Sequence, residues 1–162
     1  MTKTISIAPV KKTLTVNVSQ ARAFDVFTSG MDRWWPRTHH TGETPMTRMV
    51  LEPRAGGRWY SVHEDGRENT VGEVKVWNPP NRIVHSWNIS AMWKPDSSIG
   101  SEVEVRFIAE GPNRTRVELE HRDFESYGEQ AQQMRDAVGG DGGWNSILDL
   151  YRKEAENNQP RQ

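Results

Sequence analysis

Between residues 47 and 122 the chain alternates between apolar and polar residues at nearly every step. Turn chemistry interrupts it at "PRAGG" (53–57), "EDGRE" (64–68), "NPPN" (78–81), "PDSSIG" (95–100) and "EGPN" (110–113). Successive side chains of a strand point to opposite faces, so this pattern is satisfied by antiparallel sheet with one face on a core and the other in water. Asp-Gly, Pro-Pro and Gly-Pro pairs at the breaks are hairpin signals. The apolar face gathers Met49, Leu51, Val74, Val76, Ile83, Trp87, Ile89, Val103, Val105, Phe107, Val117 and Leu119. An earlier strand in "KTLTVNVS" adds Leu14, Val16 and Val18, so about seven strands are expected.

A sheet with one apolar face needs a cover. "GGWNSILDLYRKEAE" supplies it: Trp144, Ile147, Leu148, Tyr151 and Ala155 recur at helical spacing and predict one amphipathic helix over 141–157. A shorter helix over 127–138 precedes it, separated by the "GGDGG" hinge. Near the start, Ser19 is placed to cap a short helix that carries Phe24 and Phe27 on one side and stops at Gly30. A further helical turn follows and ends at Pro36. The expected fold is α+β: a curved antiparallel sheet wrapped around a long C-terminal helix, with two short helices after the first strand. One domain spans 1–162, and the polar end "ENNQPRQ" is expected to fray.

Composition removes several function classes. Lys and Arg number 21 against 22 Asp and Glu, net −1, with no basic block to release counterions from a phosphate backbone, so nucleic acid is not an expected partner. No apolar run approaches the ~20 residues of a membrane span, and "MTKTISIAPV" lacks a signal-type apolar stretch. The absence of cysteine fits a reducing compartment and removes thiol catalysis and thiolate zinc sites. A cytoplasmic location is expected, and the sequons at Asn17, Asn88 and Asn113 are then chance matches.

Seven tryptophans and five histidines remain to be explained. On the strand faces, His63, His85 and His121 point inward. They fit three readings: core residues satisfied by one hydrogen bond, polar fixtures that orient a ligand in an apolar pocket, or metal ligands. No His-x-His, His-x3-His or nearby carboxylate accompanies them, so no metal is expected. In "MDRWWPRTHH" (31–40), the adjacent tryptophans must diverge by ~100° on a helical turn, one entering the core and the other edging a cavity. His39 and His40 read as solvated loop residues. Trp77 is expected to pack at a hairpin end, and Trp93 lies in the loop after "HSWNIS".

The stretch "GGRWYSVHEDGRENTVGEVKVWNPPNRIVHSWN" (56–88), with "DRWWP" (32–36) and "GGW…L…Y" (142–151), resembles bacterial homologues of the activator of the heat-shock-protein-90 ATPase, in the START-like (SRPBCC) helix-grip superfamily. The resemblance spans almost the whole chain. It implies a helix-grip fold with a cavity between sheet and long helix, in a superfamily that includes lipid, hormone and polyketide binders, cyclases and dehydratases, and a co-chaperone. It brings no catalytic motif, and no G-x-S-x-G, P-loop, H-E-x-x-H or G-x-G-x-x-G occurs in the chain.

The leading reading is a protein that binds a hydrophobic, ring-containing small molecule in an aromatic-lined cavity, without a cofactor. Its expected ligand contacts are Trp35, Trp59, His63, His85, Trp87, Phe107, His121, Trp144, Leu148 and Tyr151. The alternatives are a cavity enzyme of the polyketide cyclase or dehydratase kind using an inward histidine, and a chaperone-interacting module. Chaperone contact or a homodimer is the accompanying partner expectation.

Overall fold

The computed structural model describes residues 7–41 and 43–157. The tail beyond Asn157, where fraying is expected, lies outside the described residues. Strand β1 (Val10–Val16) leads into α1 (Gln20–Phe27) and α2 (Met31–Trp34). Six strands follow: β2 (Met46–Leu51), β3 (Arg58–His63), β4 (Glu68–Asn78), β5 (Arg82–Trp87), β6 (Ser101–Gly111) and β7 (Arg114–Arg122). They form one antiparallel seven-stranded sheet in the order β1-β7-β6-β5-β4-β3-β2, a meander closed at its far edge by the first strand. A 3-10 segment (Phe124–Gln130) runs into α3 (Ala131–Gly139). A π-helical turn (Asp141–Asn145) then opens α4 (Ser146–Glu156). This is the expected helix-grip architecture.

Register shifts in the β2–β3, β3–β4, β4–β5 and β6–β7 pairs curl the sheet, since an extra residue on one strand sharpens its local twist. One of them overturns a face assignment. Val74 opposes His85 and Val76 opposes Val84, so Lys75 is the extra residue. Beyond it the phase is reversed: Trp77 shares the inner face with Ile83 and packs on Phe24 at 5.1 Å, while Val76 turns outward. At Gly72 a Cβ would stand 2.2 Å from the Ser86 carbonyl oxygen, so the curl brings two backbones too close for any side chain.

The helices close on the concave face through named contacts. Ser19 accepts from the Arg22 N–H and caps α1. Tyr151 donates to the Ala23 carbonyl at 2.7 Å, Arg22 donates to the Ala155 carbonyl at 2.8 Å, and Arg33 pairs with Glu154 at 2.8 Å. α4 is thereby fixed against α1 and α2. The single helix expected over 141–157 is not continuous. At Gly143 the backbone leaves helical geometry (φ −100°, ψ −124°), and a Cβ there would lie 2.2 Å from the Val138 carbonyl oxygen. The apolar stripe runs on across this break, which is why spacing alone reads it as one helix. Among the described residues no helix is long and apolar enough to cross a membrane.

Candidate functional site

The two adjacent tryptophans diverge as a helical turn requires. Trp34 packs on Phe27 at 5.2 Å and Tyr151 at 5.3 Å and donates to the Val26 carbonyl at 2.7 Å. Trp35, its ring 5.9 Å from that of Trp34, packs on Trp59 at 5.5 Å and Trp144 at 6.2 Å and donates to the His39 carbonyl at 2.8 Å. Beside it lies a cavity of about 450 Å³, within the range of small-molecule sites. Trp35, Trp87 and Trp144 form its floor, with Ile89 and Ile147 at the sides. The rest of the lining comes from Ala137, Val138, Gly142 and Gly143 and from the loop residues Thr38, His39, His40 and Thr41. Trp93, 46% exposed and at φ 58°, stands at the rim.

Of the expected contacts, Trp35, Trp87 and Trp144 line this cavity. The other seven do not. Phe107 and Tyr151 lie under α1 and α2, where Phe24 and Phe27 close on Phe107 at 5.2 and 5.8 Å and Phe27 and Trp34 close on Tyr151 at 5.2 and 5.3 Å, while Leu148 is buried on α4. Trp59 is fully buried between His85 at 4.7 Å and Trp87 at 5.4 Å, beneath the floor. The inward aromatics pack on one another, and the cavity lies at the kinked end of the helix. Trp59 and Trp87 bury indole N–H groups without a hydrogen bond of normal geometry, although the Tyr127 hydroxyl is close to that of Trp87.

His63, His85 and His121 do point inward, all at 3% exposure or less. Nδ1 of His85 donates to the Ser86 carbonyl at 2.9 Å, and burial pushes its pKa down to about 4 against the raising effect of that bond. His121 is pushed well below the usual histidine value by burial and then by its neighbour His85. Its Nδ1 accepts from the Trp144 indole N–H at 3.0 Å, and Nε2 lies 3.5 Å from Ser101 Oγ. Both rings are neutral packing elements, and among the described residues neither has a carboxylate partner. His63 sits apart, beside a polar pocket of about 110 Å³ on the far side of His40. Its Nδ1 donates to the Thr44 carbonyl at 2.7 Å, and Nε2 accepts from Ser61 at 2.7 Å and Asn69 at 3.2 Å.

Sequence reasoning missed the wall at 38–41. His39 and His40 are half-buried rather than solvated. His39 bridges to the kink, its Nε2 donating to the Gly142 carbonyl at 3.0 Å while Nδ1 accepts from Thr38 Oγ1 at 3.1 Å. No local pattern announces that a loop will be captured by a segment a hundred positions away. Among the described residues no three His, Asp or Glu side chains come together as a metal site.

Residues 17–154 match the family described as activator of Hsp90 ATPase homolog 1-like protein. The chain belongs to this family. No curated protein is a sequence match to it. Among solved structures, this family member is similar to the anthrahydroquino-gamma-pyrone synthase Txn09, at 34% identity over 91% of this chain and 97% of that one, with a TM-score of 0.64. It is also similar to CalC, a self-sacrificing resistance protein from Micromonospora echinospora, at 30% identity over 96% and 98% of the two chains, with a TM-score of 0.72. CalU16 from the same organism shares the fold at 22% identity, covering 92% and 76%, with a TM-score of 0.60.

Proposed function

We propose that this protein binds apolar, ring-containing small molecules in the cavity at the kinked end of the C-terminal helix. The observation that carries the reading is the cavity itself, about 450 Å³ with Trp35, Trp87 and Trp144 as its floor. Three indole faces give a flat aromatic molecule offset-stacked and edge contacts, and the apolar sides reward burial at ~25 cal/mol per Å². The rim offers His39, His40, Thr38 and Thr41, a few polar groups at one edge of an apolar site. Similarity to Txn09, whose name specifies a polycyclic product, favours ring systems as occupants. The absence of cysteine keeps the cytoplasm as the proposed location.

The test is a fluorescence titration with anthraquinone, a non-fluorescent three-ring quencher. Saturable quenching in the wild type, weakened or lost in Trp87→Ala, supports the reading. Quenching that rises linearly without saturation, and equally in both proteins, counts against it.

The synthase similarity also favours a second reading, a cavity enzyme of the cyclase kind. The histidines available to it are His39 and His40, because His85 and His121 lie beneath the floor and are neutral.

A further inference from the structure

His40 lines the cavity but is not used to hold the fold together in the way His39 is. Its Nδ1 lies 3.0 Å from the Thr41 carbonyl oxygen. A carbonyl has no proton to give, so Nδ1 carries the N–H, and the neutral ring keeps its lone pair on Nε2. The ring is held edge-to-face against His63 at 5.2 Å. That support is itself fixed, since both His63 nitrogens are engaged by Thr44, Ser61 and Asn69 and none has a proton left to offer His40. Among the described residues no donor is paired with His40 Nε2. His40 thus brings to the cavity lining a hydrogen-bond acceptor that no described residue uses.

We infer that His40 Nε2 accepts a hydrogen bond from the bound molecule, and that the ligand class is a fused aromatic ring system with a free phenol-type or enol-type hydroxyl at one edge. The inference rests on the proposed ring-binding cavity and adds the polar group that selects among ring compounds. A site that holds an acceptor ready for a hydroxyl rejects the analogue lacking one, because the acceptor is then desolvated and unpaired.

Three probes separate the two levels: naphthalene, 2-naphthol and 2-methoxynaphthalene, titrated at neutral pH and read by the indole N–H signals in NMR. The wild type should bind 2-naphthol roughly tenfold more tightly than either analogue, the size of one net hydrogen bond. His40→Phe should bind all three alike, with naphthalene affinity within about twofold of the wild type. His40→Leu repeats the comparison with a different replacement, and thermal melts confirm that both variants fold. In protein with 15N-labelled histidine, the His40 Nε2 resonance should move on adding 2-naphthol and stay in place with naphthalene. Binding of naphthalene without a hydroxyl preference, or a preference that survives in both variants, overturns this inference and leaves the cavity reading standing. Failure of all three probes to bind overturns both.

Discussion

The indole N–H of Trp144 donates to Nδ1 of His121 at 3.0 Å, joining the kinked start of the C-terminal helix to the last strand of the sheet. The bond fixes the His121 tautomer: Nδ1 is the acceptor, so Nε2 carries the proton and faces Ser101 Oγ. It also sets the tilt of Trp144, which is both core residue and cavity floor. His121→Phe keeps an aromatic ring but leaves a buried donor unpaired, and should cost about 1–3 kcal/mol in denaturant melts. Trp144→Phe removes the donor instead. If the pair is coupled, the double variant costs less than the sum of the two by more than ~0.5 kcal/mol, whereas strict additivity would mean the contact is incidental.

Acid should weaken the fold in two separate windows. His85 is held near 4 by burial, so the unfolded chain binds a proton that the folded one refuses. The stability it contributes is complete above about pH 6.5 and is lost as pH falls towards 4, on the order of 3 kcal/mol. His121 acts in the same direction. On the convex face, burial pushes the Glu104 carboxyl up, but hydrogen bonds from Arg122, Arg82 and Arg106 outweigh it and hold the group down at about 2. Its contribution is complete above about pH 4.5 and is lost progressively as pH falls towards 2. Melts at pH 7 and 5 fall in the histidine window and above that of Glu104. Equal stability at both values would show that these rings take up protons without unfolding.

Gly143 and Gly142 are adjacent but should respond differently to the same change. A Cβ on Gly143 meets backbone oxygen at 2.2 Å, while one on Gly142 meets nothing within 4 Å. Gly143→Ala should cost ~1–3 kcal/mol by overpacking, and Gly142→Ala should stay within ~0.5 kcal/mol. Matching melting temperatures would mean the kink relaxes freely.

Leu148→Ala tests the covered end of the sheet. The side chain is 5% exposed on α4 and outside the cavity, so truncation should cost ~2–5 kcal/mol and leave ligand affinity nearly unchanged. A large affinity change with little loss of stability would place the binding space further along the helix.

The sheet was legible in the sequence because a half-buried antiparallel strand imposes a period of two, which the segment from Arg48 to Glu120 keeps almost throughout. It failed at Val76, where one extra residue on β4 reverses the phase and puts Trp77 inside. The inward histidines followed from the same alternation, but their role did not. A neutral His121 clamped by Trp144 and a cavity-lining histidine look alike until packing is known. The position of the cavity was the least legible feature. Phe107 and Tyr151 are on the correct face, yet Phe24, Phe27 and Trp34 arrive from α1 and α2 and occupy the space beside them. What stays open depends on the kink at Gly143, whose glycine-rich hinge is visible in the sequence although its geometry is not, and on a loop bond from His39, which has no local signature.

Ring compounds are proposed to bind at the kinked end of the helix. The most direct measurement is an NMR titration with anthraquinone in which each tryptophan indole N–H signal is assigned. Saturable shifts are expected at Trp35, Trp87 and Trp144, which line the cavity, with Trp34, packed against Tyr151 on the filled side, unmoved. No saturable shift at the three floor residues, or shifts confined to the rim residue Trp93, would contradict it.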